Sequence, residues 1–377
     1  MRQSLETRGW LWIGTLSALG LAAGAGCGSS SGGESPGDDG GEESSVEAGP
    51  DSPGPEAGPD GPSMNDGPSM NDGPGGGDAK NDGNDASTAL AIYQDTVTGA
   101  FTTIFDAVPS PDGTKVYFTG IDMNGNVGAF WTPIGTGTQA ATQASAGNVL
   151  VAPLGVAIST DGNTLYIADP GALDSQGGDD GVIWSLALPS GTPAAIAGSD
   201  GIYARGITVD SSGGNDTLVF TGVNSSGQAG LFTLAAMGGT AMTVVAGAPF
   251  DDPSGVTVAP NGDYYVFDVT AGASHRADVV KVSGATATVV LTDLFVGYPA
   301  GIAMNGANNA IVLSGLAAAS GPDTLTVVNG LGQASPLVAS GLSNLSNAGG
   351  LHRAAKANVY AFVDSAGDGT DAVYVIR

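Results

Sequence analysis

Residues 153–171 read PLGVAISTDGNTLYIADPG. Two apolar runs, 155–159 and 165–168, flank Asp161-Gly162, a pair that tolerates the positive φ of a tight turn. The stretch therefore predicts two antiparallel strands joined as a hairpin. The same device recurs along the chain. First strands are predicted at 107–110, 155–159, 206–210, 255–259, 301–305 and 349–353, at intervals of about 44–51 residues. Three of them open alike, as Pro153-Leu-Gly155-Val, Pro253-Ser-Gly255-Val and Pro299-Ala-Gly301-Ile, and Asp112-Gly113 and Asn261-Gly262 supply further turns. Second strands follow at 116–119, 165–168, 218–221, 265–269, 310–313 and 359–363. Third and fourth strands come after them, as at 182–188 and 194–197.

Two units are alike over a longer stretch. FTGIDMNGNVGAF at 118–130 matches FTGVNSSGQAGLF at 220–232 through second strand, loop and third strand, which indicates duplication of a whole unit. A four-stranded unit repeated six times predicts an all-β fold, a six-bladed β-propeller over 89–377. No window of this region carries a helical period. The last repeat ends with a third strand at 372–376 and lacks a fourth. The segment 101–105, ahead of the first complete repeat, is expected to supply it and so remove an open sheet edge. A further strand-like stretch, 90–94, has no assigned place, and a seventh, incomplete blade is the alternative.

Composition excludes several classes. The chain has 37 acidic against 10 basic residues, a formal net charge of −27, and phosphate binding needs a basic stripe. One Cys rules out an intramolecular disulfide and a cysteine-based metal cluster. With 63 Gly and 12% charged residues, it is no coiled coil or helical bundle.

The N-terminal part is a different material. Residues 1–27 hold Arg2 and Arg8, then the apolar run 9–26, ending in small residues before Cys27. This reads as an export signal and resembles a bacterial lipoprotein signal, which implies cleavage before Cys27 and lipid on its sulfur and new amino end. Gly24 stands where that family usually has an aliphatic residue, and an ordinary secretory signal is the alternative. Gly28 follows the Cys, so the Asp that retains such proteins in the inner membrane is absent, which points to the outer membrane. Residues 28–88 hold 14 acidic residues, one basic residue (Lys80), no aromatics, and the hexapeptide GPSMND twice in tandem. Too little apolar surface is present to offset chain entropy, so a disordered linker is expected, with a reach of about 40–50 Å.

Residues 153–171 resemble the repeats of NHL and gluconolactonase-like six-bladed propellers, and VPSPDGTKVYF at 108–118 resembles the TolB-type repeat. The likeness implies a ligand mouth where the loops leading into the first strands meet those joining second to third strands. Here these loops are rich in Asp. Hard cations take several carboxylate oxygens, so Ca²⁺ is the candidate cofactor, with Asp106, Asp251, Asp252 and Asp169 as candidate ligands. Asp122-Met-Asn124-Gly-Asn126 approaches a calcium loop but lacks its terminal Glu. The alternative is that these Asp and Asn residues cap turns and keep the domain soluble. Gluconolactonase-like enzymes hold their metal with a Glu beside Asn and Asp, whereas 89–377 contains no Glu, and no catalytic position transfers.

Arg205, one of seven basic residues in 89–377, precedes the third first-strand near Tyr203. It either grips an anionic ligand bidentately or pairs with Asp200. Tyr298, in the fifth leading loop, and His275, in the loop 271–278, complete the candidate ligand-binding set. His352 falls in the innermost strand of the last repeat, as a base near neutral pH or as a packed residue. No P-loop, dinucleotide or zinc-protease motif occurs. The reading is an envelope-anchored binding or scaffolding module for a protein, small-molecule or polysaccharide ligand. The alternative is a metal-assisted hydrolase or lactonase.

Overall fold

The computed structural model describes residues 92–93, 101–135, 139–175, 177–178, 181–269, 276–295, 301–304, 311–315, 324–328, 334–337, 348–364 and 371–377. The expected signal and linker, Cys27, His275 and Tyr298 lie outside these residues. The described residues contain strands and turns and no helix. Their strands form six four-stranded sheets. Five are contiguous in sequence, each running from an innermost to an outermost strand in chain order, and the sixth is assembled from both ends of the domain. The innermost strands are Phe101–Pro109, Gly155–Ile158, Ile202–Asp210, Pro253–Val258, Ile302–Met304 and Ala348–Arg353. Each lies against the next, and the last lies against the first, so the sheets close into a β-propeller.

The hairpin turns form as the Asp-Gly pairs predict. Gly113 and Gly162 adopt φ of +69° and +79°. In both turns a serine two residues before the Asp donates to its carboxylate, Ser110 to Asp112 and Ser159 to Asp161, each at 2.6 Å. The carboxylate also accepts the backbone N–H of Thr114 or Asn163. These bonds favour the charged form; with Ser159 the largest cause, Asp161 is lowered to about 2.

Second strands are buried on both faces because each sheet stacks against two neighbours. In Lys115–Asp122 the five residues Val116 to Gly120 are all buried. This is why these strands read as continuous apolar runs rather than strict alternations. Phe101, Phe118 and Phe130 fill the first sheet's core with centroids 4.8–5.7 Å apart. Phe220 and Phe232, their counterparts in the duplicated unit, stack at 5.8 Å.

Ring closure differs from the sequence expectation. The fourth strand of the last sheet is Ile92–Tyr93, paired with Ala372–Ile376 through Ile92 opposite Ile376 and Tyr93 opposite Val375. Residues 101–105 instead begin the first sheet's own innermost strand. Two register shifts, between Phe101 and Thr103 and between Ile104 and Asp106, break the alternation there and make one strand read as two pieces. The seam between last and first sheets is apolar, with Phe101, Ile104 and Phe118 packed among Val359, Val363, Val373 and Val375.

The calcium-like loop has a local explanation. Asp122 Oδ1 accepts the N–H of Asn124 and of Asn126, each at 2.8 Å. Asn224 Oδ1, at the same place in the duplicated unit, accepts the N–H of Ser226 and Gln228, each at 3.0 Å. An uncharged amide performs the same task. Asp122→Asn is therefore expected to leave the urea unfolding midpoint unchanged, with or without Ca²⁺. A calcium-dependent loss would return this loop to the metal reading.

Candidate functional site

The two matching Ser-x-Asp turns place Asp106 in register with Gly155, four residues before each serine. The same column holds Gly206, Gly255, Gly301 and Gly350, so one carboxylate stands among five glycines at the axis. Asp106 is buried. Its Oδ1 accepts Ala107 N–H at 2.8 Å, and its Oδ2 accepts Val156 N–H at 2.9 Å and lies 2.9 Å from His352 Nε2. The pair thus joins the first sheet to the second and the sixth. Between these residues and Ile207, Val256 and Leu351 the channel retains roughly 10 Å³, space for about one water.

The mouth is organised by a second set of aspartates. Asp169 is the last residue of the second sheet's second strand and Asp268 the last but one of the fourth sheet's, and both are buried. Asp169 accepts the N–H of Val151 and Ala152 at 2.8 Å each. Asp268 accepts those of Asp251 and Asp252 at 2.9 and 2.7 Å. Each carboxylate therefore pins the loop leading into its own sheet. In the first and third sheets the same strand position is Gly120 or Gly222, and the innermost strand runs nine residues.

Arg205, on the third sheet, pairs with Asp252, and its guanidinium lies 5.6 Å from the Tyr203 ring centre. Its partner thus comes from the next sheet's leading loop. Asp200 accepts instead from Ser175 Oγ at 2.9 Å, on the second sheet. Burial raises the Tyr203 hydroxyl, the Arg205 charge opposes this, and Asp169 adds to it, which places these three groups within each other's field. The structure thus gathers Arg205, Tyr203, Asp252 and Asp169 at the mouth, puts Asp106 on the axis and leaves Asp200 apart. Among the described residues no three His, Cys, Asp or Glu side chains stand together as metal ligands. The sequence marks Asp268 only as one of the acidic loop residues and His352 only as a base or a packed residue; the structure gives each a defined partner. A signal for Asp268 existed in the shared ending of the second strands, Ala168-Asp169, Phe267-Asp268 and Val363-Asp364.

Burial is the main reason that Asp268 is raised to about 7; the Asp251 N–H opposes it, and the charges of Asp251 and Asp278 add to it. Burial likewise raises Asp169. An ordinary unfolded Asp titrates near 3.9. Between about 4 and 7 the folded state holds the Asp268 proton and the unfolded state does not, so this group's contribution to stability falls as pH rises through that window. Melting curves across pH 4–8 should show this decline, and Asp268→Asn should flatten it. A variant with the parent's slope would remove Asp268 as its origin.

No protein-family model matches the chain, and no curated protein matches its sequence. Solved structures do match. A protein from Thermus thermophilus assigned as an oxidoreductase of glucose dehydrogenase type aligns with a TM-score of 0.53 at 15% identity, over 76% of this chain and 100% of that one. A protein assigned as a gluconolactonase gives 0.52 at 14% identity, over 77% and 94%. A protein assigned as TolB from Agrobacterium tumefaciens gives 0.50 at 14% identity, over 76% and 96%. At such identities these likenesses show the propeller fold alone.

Proposed function

We propose that the protein is an envelope lipoprotein, anchored through lipid on Cys27 and held off the membrane by the acidic linker 28–88, whose propeller domain serves as a binding or scaffolding module. The carrying observation is the filled axis. A hydrolase of the gluconolactonase-like type would need a concave place on the axis to shelter the reacting bond from water, and among the described residues the channel there has space for about one water. Its polar pair is engaged in joining three sheets, and Asp169 and Asp268 at the mouth are engaged in pinning loops. The acyl chains of a lipoprotein cysteine would satisfy the two-signal requirement for stable anchoring.

Detergent-phase partition and mass spectrometry of the full chain expressed in bacteria test the anchor. The parent should enter the detergent phase with acyl groups on Cys27, and Cys27→Ala should stay in the aqueous phase. An unmodified Cys27 or a soluble parent defeats it. Thermal melting with millimolar Ca²⁺ and with EDTA tests the binding reading, for which the two curves should coincide. A rise of several degrees with Ca²⁺ would favour the metal-assisted lactonase instead.

A further inference from the structure

The second sheet carries a loop that its neighbours lack. The connection between its second and third strands runs twelve residues, 170–181, against four in the first sheet (123–126) and four in the third (225–228). Long connections on a rigid scaffold are where binding residues concentrate. Asp174 folds this one back: its N–H donates to Gly178 O at 2.9 Å, and its Oδ1 accepts Gly178 N–H at 2.6 Å. The Ser175–Asp200 bond then ties the loop to the segment that leads into the third sheet.

Between loop and segment lies a cleft of about 360 Å³, within the range of ligand sites. Leu173, Val182, Trp184 and Ala195 supply apolar lining, Asp174 and Asp200 supply carboxylates, and no basic side chain is among the lining residues. The outermost strand here is only Ala194–Ala195, and Ala195 stands opposite Trp184, so small side chains leave room beside the indole. Apolar surface continues outside the cleft. Leu173 is 59% exposed and Val151 54%, and Val151 lies against Gly171, two residues before Leu173. Exposed apolar side chains gathered beside a concavity mark an interaction surface.

We infer that this cleft receives an extended segment of a protein partner, an apolar side chain lying beside Trp184 and Leu173 and a lysine or arginine between Asp174 and Asp200. The inference rests on the binding-module reading and gives the partner its chemistry. Charge complementarity selects the basic residue, and the apolar strip beyond the cleft calls for a ligand longer than a single side chain.

The probes are three fluorescent capped tetrapeptides, Lys-Leu-Phe-Lys, Glu-Leu-Phe-Glu and Lys-Ser-Ser-Lys, titrated against the full chain in detergent. The basic, apolar peptide should bind saturably, more weakly at 0.5 M salt, and at least fivefold more tightly than the other two. Leu173→Asp and Asp200→Asn should each weaken it at least fivefold. Both positions are at the surface, and Ala285→Asp, at an exposed turn of the fourth sheet, should leave it unchanged. Equal binding of the acidic peptide, unchanged affinity in the two cleft variants, or no saturation at millimolar peptide overturns the inference. Cross-linking in envelope fractions separates the two levels. A partner captured equally by parent and Leu173→Asp removes the cleft and leaves the binding module standing, whereas a parent that captures nothing counts against the module itself.

Discussion

Gly206→Ala is expected to destabilise the domain by about 3 kcal/mol or more, lowering the melting temperature by roughly 6–12 °C. A β-carbon at Gly206 would fall inside the contact distance of the Ser254 carbonyl oxygen on the next innermost strand. Gly155 meets the Arg205 carbonyl in the same way. The clash is with backbone on both sides, so no side chain can turn aside to relieve it. The site is also tied by hydrogen bonds: Thr221 Oγ1 accepts Gly206 N–H at 3.0 Å and donates to Ser254 O. Gly213→Ala is the matched control, since an added β-carbon there meets nothing and the expected cost is below about 0.5 kcal/mol. Urea midpoints for the two variants check this, and a Gly206→Ala protein that unfolds with the parent would show that the innermost strands do not pack this closely.

This close approach explains what could be read from the chain and what could not. The recurring Pro-x-Gly-apolar opening marked the first strands, but its glycines serve the crowded axis as well as the turn of the chain. Repeat spacing, Asp-Gly turns and the duplicated FTG unit made the sheets legible because each is a local pattern within about 50 residues. Contacts that cross sheets left no such trace. Arg205 has Asp200 near it in sequence, yet its partner Asp252 is brought beside it only by the stacking of the third and fourth sheets. Ile92–Tyr93 is separated from the strand it completes by almost the whole domain, and the two register shifts in Phe101–Pro109 disguised the alternative. The burial of Asp169 was likewise not legible in its loop position. Its carboxylate accepts the Val151 and Ala152 N–H groups, a contact with the loop leading into its own sheet that no local pattern announces.

Asp106→Ala is expected to cost about 3–5 kcal/mol, because it strips the acceptor from three groups in a buried place. Ala107 N–H and Val156 N–H lose their bonds, and His352, 13% exposed in its side chain, loses the carboxylate at 2.9 Å. The loss falls on the seam where chain ends meet, since Asp106 belongs to the first sheet and His352 to the last. Other repeats show what the seam would be without the pair. They have glycine at the Asp106 column, and Ala157, Thr208, Thr257 or Ala303 where the last has His352. Asp106→Gly combined with His352→Thr restores that arrangement and removes the stranded imidazole. The double variant should therefore be more stable than the sum of its single changes implies, by at least about 1 kcal/mol in a double-mutant cycle. Strict additivity would mean that Asp106 and His352 sit side by side at the axis without depending on each other, and that the apolar seam of Phe101, Ile104, Val363 and Val375 closes the ring alone.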